Sequence, residues 1–412
     1  MYRCITTLRG FAVDLDSFRG LDIEVWEELV QWFKICFLTS ENEVQETIQK
    51  RYPQAVVYHF PLFKRYLAPS PIMHMDILKK MQIQGTELVY ISHDMEFVKR
   101  AMDFFGGTVL IARKIEYEAI SASADIICPD IPYLVKLLKN RADKFVGESS
   151  ISPYGNHKGL MVPTNFQVDD KVITLYVLGR YFGYTHYMTQ KHPYSSAIYL
   201  NKKEGTRSYG VYQEDFCGLY LMGSQYINNQ FSLDCICAVP PHKGCKNRFL
   251  QTLETIAEKL EIENIENHFW CTKEYPKQRG GSYVDRQENI VGVFSYDGNL
   301  TGKTVLIIDD VVTTGATLRE GIRELYKAGA KCVIALVLGV NQLGKKYWSS
   351  IQPQVLCPQC AYPMTLLINS KNKNFFYKCM QCQKSINYEE GWDILCRKIN
   401  SENISSELEE SL

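Results

Sequence analysis

The stretch VLIIDDVVTTGAT (305–317) decides how this chain folds. Its first four residues, Val305, Leu306, Ile307 and Ile308, are apolar without alternation, which suits a strand buried on both faces of a parallel sheet. The pattern predicts a strand over 305–308 that ends at Asp309. Downstream, Leu318, Ile322, Leu325 and Tyr326 share one face of a helix over 318–328, with Gly329 as its stop. Strand character resumes in KCVIALVL (331–338). The segment is therefore a βαβ unit in which 313–317 is the loop feeding the helix.

A loop of small residues in that place turns several backbone N–H groups toward the positive end of a helix dipole, which makes a cradle for phosphate. Gly315 and Ala316 let the backbone approach closely, and the hydroxyls of Thr313, Thr314 and Thr317 add donors. Asp309 and Asp310, at the strand's C-terminal end, suit a different partner: they can accept from vicinal sugar hydroxyls or hold a water-rich Mg²⁺. Phosphate beside a diol describes a ribose 5-phosphate. A plain turn with capping aspartates would not require a carboxylate pair followed by TTGAT.

These residues resemble the phosphoribosyl-pyrophosphate (PRPP) motif of the type I phosphoribosyltransferases. Purine-salvage members usually carry an aspartate where this chain has Thr313, so the resemblance points away from purine salvage. PKQRGGSYVDRQENIVGVFS (276–295) places Gln278, Arg286, Asn289 and Phe294 at the spacings of the ComF-like branch. The similarity covers about 234–340 and is loose at Asn247-Arg248-Phe249-Leu250-Gln251, where that branch tends to read RGFNQ. It implies a reaction in which pyrophosphate leaves C1 of the ribose. Cations and N–H donors must then surround the leaving group. His242, Lys243 and Gly244 are the candidate pyrophosphate loop, although Lys243 equally suits a solvated surface and His242 a plain loop. Arg286 is the candidate catalytic cation, on a lid with Gln278 and Asn289 that Gly280 and Gly281 free to close. Closure would keep water from the activated sugar.

With 412 residues the expectation is two or three domains. Lys+Arg and Asp+Glu balance at 46 each, so no global field draws the protein to nucleic acid or membrane. The N-terminal residues form no apolar signal segment, and no stretch suits a membrane span. The 14 cysteines are mostly scattered and read as reduced cytosolic thiols. Four differ: Cys357, Cys360, Cys379 and Cys382 form two C-x-x-C knuckles, the spacing of a closed, structural Zn²⁺ site. Strands over 364–368 and 375–378, joined by a turn over 369–374, complete a zinc ribbon. Lys371, Lys373, Lys378 and Lys384 surround Phe375, Phe376 and Tyr377. Such a hairpin can stack on single-stranded nucleic acid or dock on protein, and a ribbon this small favours docking. ComF-like proteins usually carry their zinc knuckle ahead of the transferase domain, so its C-terminal place departs from the resemblance.

The first third alternates strands (11–13, 35–38, 55–58, 88–91, 109–111) with helices such as 23–33 and 72–81, the pattern of a doubly wound α/β domain. FAVDLDSFRG (11–20), with Thr39 and Ser92, resembles the haloacid-dehalogenase-like (HAD-like) phosphatases. That resemblance implies Asp14 as nucleophile and Asp16 as acid/base. It breaks at Ala68-Pro69, where the family carries a lysine, and at His93, where it carries a metal-binding aspartate. The domain therefore reads as degenerate, structural or ligand-sensing.

The expectation is an α/β protein: a HAD-like domain over 1–142, a type I phosphoribosyltransferase domain over 143–350, a ribbon over 351–395 and an acidic, disordered tail over 396–412. Aromatics in LYVLGRYFGYTHYM (175–188) read as core. The predicted activity is cytosolic, Mg²⁺-dependent transfer from PRPP to an unchosen nitrogen nucleophile. The rivals are a PRPP-responsive regulator that contacts nucleic acid or protein through the ribbon, and a pseudoenzyme scaffold. Homo-oligomerisation stays open.

Overall fold

Six short strands build the first sheet of this computed structural model: β1 (Gly10–Asp14), β2 (Lys34–Thr39), β3 (Val56–His59), β4 (Leu88–Ser92), β5 (Gly107–Ile111) and β6 (Ile126–Cys128). The structure describes residues 7–18, 23–103, 106–142, 144–152, 158–183, 186, 188, 192–202, 209–274, 290–342 and 355–394. All pairings in this sheet are parallel, in the order β3-β2-β1-β4-β5-β6. β1, β4 and β5 are buried throughout, as their unbroken apolar runs require. Sheet growth reverses between β1 and β4, which opens a crevice beyond Asp14 and Ser92. The expected helix over 23–33 is a 3-10 turn, Ile23–Trp26, followed by the helix Glu27–Trp32. β6 is too short to stand out in the sequence.

The second sheet runs β11-β10-β14-β15-β8-β7, with β9 beside β15. Its strands are β7 (Val162–Val168), β8 (Lys171–Val177), β9 (Arg180–Tyr181), β10 (Cys235–Ala238), β11 (Glu263–Asn264), β14 (Thr304–Val312) and β15 (Cys332–Asn341). A separate antiparallel pair, β12 (Phe269–Cys271) and β13 (Phe294–Tyr296), lies between β11 and β14 in sequence. β14 is central, and Val305 to Ile308 are wholly buried. Each such side chain stabilises the fold by about 1.5–3 kcal/mol. Leu306 and Ile308 pack with Phe216, Tyr220 and Leu253, from the helices Gln213–Phe231 and Leu250–Leu260. Val305 and Ile307 pack on the opposite side with Leu318, Ile322 and Leu325 of the helix Ala316–Lys327.

Two expected boundaries move. β14 continues past Asp309 to Val312, because the long β15 keeps supplying parallel partners (Val311 to Gly339, Val312 to Val340). The following helix starts at Ala316, two residues earlier than its apolar periodicity suggests, because Gly315 at φ +78° turns the chain directly into it. Of the aromatics over 175–188, Tyr176 in β8 and Phe182 are buried, as expected of core, and Tyr181 is half-buried; Tyr184 and Tyr187 lie outside the described residues.

The two sheets share a core. Ile115, Tyr117, Ile120 and Ala124 of the first unit join Phe166 and Val340 of the second in one apolar cluster. The Gln342 amide donates to the Ile120 carbonyl (2.9 Å) and its Oε1 accepts from Ser123 N (2.9 Å). Arg180 pairs with Glu148 (2.8 Å) and with Asp125 (3.0 Å), tying the units with charge as well.

At the C-terminal end, β16 (Met364–Ile368), β17 (Phe375–Cys379) and β18 (Ser385–Asn387) form an antiparallel sheet. The first two match the expected hairpin. β18 is an addition, too short to read from alternation. Phe375 stacks on Tyr212 (6.5 Å between centroids) and Lys373 pairs with Asp215 (2.5 Å), so the hairpin docks on the start of the helix Gln213–Phe231. The acidic tail over 396–412 lies outside the described residues.

Candidate functional site

The end of β14 places Asp309 and Asp310 at the rim of the second sheet. Asp309 accepts from the Asp310 amide through Oδ1 (2.8 Å), and its main-chain carbonyl accepts from the Tyr220 hydroxyl (2.7 Å). Burial pushes its carboxyl up to about 6, against the pull of Arg248 and Lys202. Asp310 is 6% exposed and accepts from Val311 N (2.5 Å). Its other oxygen lies 2.7 Å from Lys202 Nζ and meets the Arg248 guanidinium. Lys202 is held well below the ordinary ammonium range, first by burial and then by Arg248, with Asp309 opposing. A cavity of about 30 Å³, the room for roughly one water, opens among Lys202, Gln213, Arg248 and Asp310. Sequence reasoning missed Lys202, which follows the helix Pro193–Asn201 and carries no motif.

The loop after β14 is shaped from behind. A Cβ added to Gly315 would lie 2.6 Å from the Phe166 ring, and its φ is in the left-handed region, so both contact and conformation require glycine. Arg319 covers the Phe166 ring (4.5 Å) and donates to the Thr314 carbonyl (2.7 Å) and the Gln167 carbonyl (2.8 Å). The Tyr117 hydroxyl, from the first unit, donates to the Thr313 carbonyl (2.5 Å). With its carbonyls held from the rear, the loop presents Thr313 exposed and Thr314 and Thr317 half-buried, beside the amide-rich start of a 12-residue helix. Gly315→Val should therefore cost about 2 kcal/mol or more in stability, through left-handed strain and the clash with Phe166. Denaturant melts of the two proteins would measure it.

His242, Lys243 and Gly244 follow β10 in an open turn, with Gly244 at φ +78° and Lys243 exposed. The turn and the Asp309–Asp310 pair lie on neighbouring strands, since β10 pairs with β14. Gln278, Arg286 and Asn289, expected to form a lid, lie outside the described residues.

The four knuckle cysteines come together: all their sulfurs lie within 4.8 Å of one another, with Cys357–Cys382 and Cys360–Cys379 each at 3.5 Å. A tetrahedral Zn–S₄ centre with bonds of about 2.3 Å separates its sulfurs by about 3.8 Å, so the donor set fits zinc. The amides of Gln359 and Cys382 point at Cys357 and Cys379 sulfur (3.4 and 3.5 Å), as thiolate charge requires.

In the first sheet, Asp14 is wholly buried and its carboxylate is gripped on both oxygens by Arg65 (2.5 and 2.8 Å) and by the Ser92 hydroxyl (2.6 Å). Burial still raises its pKa, outweighing Arg65 and Ser92. Asp16 accepts from the Ser40 amide and hydroxyl and from the Thr39 hydroxyl (2.7–3.1 Å). Both carboxylates are thus engaged within the protein.

A family profile described as a phosphoribosyl transferase domain matches residues 272–353. Three curated relatives align with short parts of the chain. The transcriptional regulator GfcR of Methanosphaera stadtmanae is 41% identical over 54 residues, 13% of this chain and 27% of that protein. Competence protein F of Haemophilus influenzae is 33% identical over 81 residues, 19% and 35% respectively. The ribose-phosphate pyrophosphokinase of Saccharolobus solfataricus is 32% identical over 88 residues, 21% and 28%. The chain spans about a third or less of each of these relatives. A solved phosphoribosylpyrophosphate synthetase from Mycobacterium smegmatis, 12% identical over 83% of this chain and 84% of that one, reaches a TM-score of only 0.23, too low to carry an argument. Together the sequence matches identify a phosphoribosyltransferase-type domain in this part of the chain. Among the described residues no helix is long and apolar enough to cross a membrane.

Proposed function

We propose that the second unit binds PRPP with Mg²⁺ and transfers its phosphoribosyl group to a nitrogen nucleophile in the cytosol. The observation that carries this reading is the carboxylate pair Asp309–Asp310 running directly into a glycine-shaped loop at a helix N-terminus. The aspartates accept from the ribose hydroxyls while Thr313, Thr314, Gly315, Ala316 and Thr317 hold the 5-phosphate. Mg²⁺ enters as part of the substrate and offsets the pyrophosphate charge. The C1–O bond breaks with its electron pair leaving on pyrophosphate, the nucleophile's nitrogen bonds to C1, and the nucleophile's proton is released to solvent. Arg248, which pairs with Asp310, and Lys202 beside it lie where an arriving anion would meet them. Arg286, Gln278 and Asn289 are assigned to the lid, and His242, Lys243 and Gly244 to the pyrophosphate turn.

Calorimetric titration of PRPP with Mg²⁺ tests this directly. Wild type should bind saturably, and Asp309→Asn/Asp310→Asn should bind at least about tenfold more weakly. Failure of the zinc-loaded wild type to bind would sink the reading. Because burial pushes Asp309 up to about 6, wild-type affinity should fall as pH drops through that value and its carboxylate protonates.

A second reading, a PRPP-responsive regulator, is favoured by the aligned proteins named as transcriptional regulators and by the exposed Lys371 and Lys384 on the ribbon. RNA or DNA affinity that changes with PRPP and disappears in Lys371→Glu/Lys384→Glu would support it. For the first unit we favour a degenerate HAD-like domain, since Arg65 occupies the Asp14 carboxylate. Phosphatase activity abolished by Asp14→Asn would overturn that assignment.

A further inference from the structure

The turn carrying His242, Lys243 and Arg248 is closed at its base by one side chain. Glu266 opens the 3-10 turn Glu266–His268, which follows β11. One of its oxygens accepts from Ala238 N (3.2 Å), at the end of β10 where the turn begins. Its other oxygen accepts from the Asn247 side-chain amide, where the turn ends. Asn247 in turn accepts from Phe249 N (2.8 Å), which fixes the entry to the helix Leu250–Leu260. The residue between these anchored points is Arg248, whose guanidinium reaches Asp310. The next strand also helps: Val239 N donates to the Ile308 carbonyl (3.0 Å), registering the start of the turn against β14.

We propose that Glu266 is a positioning residue for the ligand site: by stapling both ends of the 239–249 turn it aims Arg248, and the pyrophosphate turn with it, at the Asp309–Asp310 pair. The inference rests on the PRPP reading of that pair. Both staple partners are donors, and the ionised carboxylate accepts from both at full strength; a protonated carboxyl keeps only a weak acceptor in its hydroxyl oxygen, and a glutamine turns an amide donor toward one of them. Burial pushes Glu266 up to about 7, with Ala238 N and Asn247 pulling the other way. Cys237 of β10 feels this carboxylate, but burial keeps its thiol protonated. His268 is occupied by Asp297 (2.8 Å), and among the described residues no ion pair reaches Glu266. The staple should therefore engage as pH rises through about 7.

The test is the ratio of PRPP–Mg²⁺ dissociation constants for Glu266→Gln and wild type, measured by calorimetry on the full, zinc-loaded chain from pH 6 to 8.5. The phosphate titration of PRPP and the Asp309 titration are common to both proteins and cancel in the ratio. It should be near one at pH 6 and rise to about ten at pH 8.5. Asn247→Ala should show the same rise with pH on top of a pH-independent loss from its contact with Phe249 N, and the double variant should be no worse than Asn247→Ala, since both changes open one staple. A ratio that stays flat with pH, or additive losses in the double variant, would overturn the positioning role while leaving PRPP binding intact. No binding by wild type at any pH would instead overturn the PRPP reading, and the positioning role with it.

Discussion

Purified protein is expected to hold one zinc ion per chain, and stripping it with a strong chelator should unfold the ribbon while the two α/β sheets remain. Structural Zn²⁺ contributes on the order of 10–16 kcal/mol in small finger peptides at neutral pH. Three strands of three to five residues have little core of their own to replace it. Docking supplies part of the remainder: Val355, Tyr388 and Trp392 join the apolar cluster that contains Tyr212 and Phe216. Chelation should therefore release four reactive thiols together and move Trp392, now buried, into water with a red-shifted emission. Cys379→Ser should reproduce that state without chelator. A zinc-free protein whose four cysteines react at the same rate with and without chelator would refute the site.

How much of this was legible depends on range. The C-x-x-C pairs and the βαβ around 305–338 depend on spacing and local periodicity, and the sheets follow them closely. Lys202 and Glu266 carry no such pattern, and Arg248 lies in a stretch that matches its branch only loosely. They matter because Lys202 and Arg248 reach Asp310 from separate elements while Glu266 holds the turn that carries Arg248, and convergence is a tertiary fact that no window of sequence contains. Arg65 shows the same limit. The mismatch at Ala68 and His93 marks where the sequence departs from the resemblance, but not that an arginine from the 3-10 segment Leu62–Leu67 grips Asp14. Strand β14 ran past its apolar stretch because its length is set by the partner strand, not by its own side chains.

Arg65→Ala should be the most damaging single change in the first unit. Asp14 has no exposure, and removing its bidentate partner leaves a buried carboxylate whose remaining side-chain donor among the described residues is the Ser92 hydroxyl. Breaking a buried pair from one side costs about 3–5 kcal/mol, and at about 2–4 °C per kcal/mol the melting temperature should fall by roughly 6–20 °C. The loss must depend on pH. Asp14 already has a folded pKa above its unfolded value, so its ionisation costs stability, a contribution fully present below about pH 4 and lost as pH rises through the folded pKa. Without Arg65 that pKa climbs further, and the deficit relative to wild type should be large at pH 7.5 and shrink toward pH 4, where the carboxyl is protonated in both proteins. Replacing both partners, Asp14→Asn with Arg65→Met, removes the stranded charge and should recover most of the loss. Thermal melts across that pH range decide it: a deficit that is constant with pH, or a double variant no more stable than Arg65→Ala, would mean that Arg65 acts through packing on Phe97, whose ring it covers at 5.4 Å, rather than through Asp14.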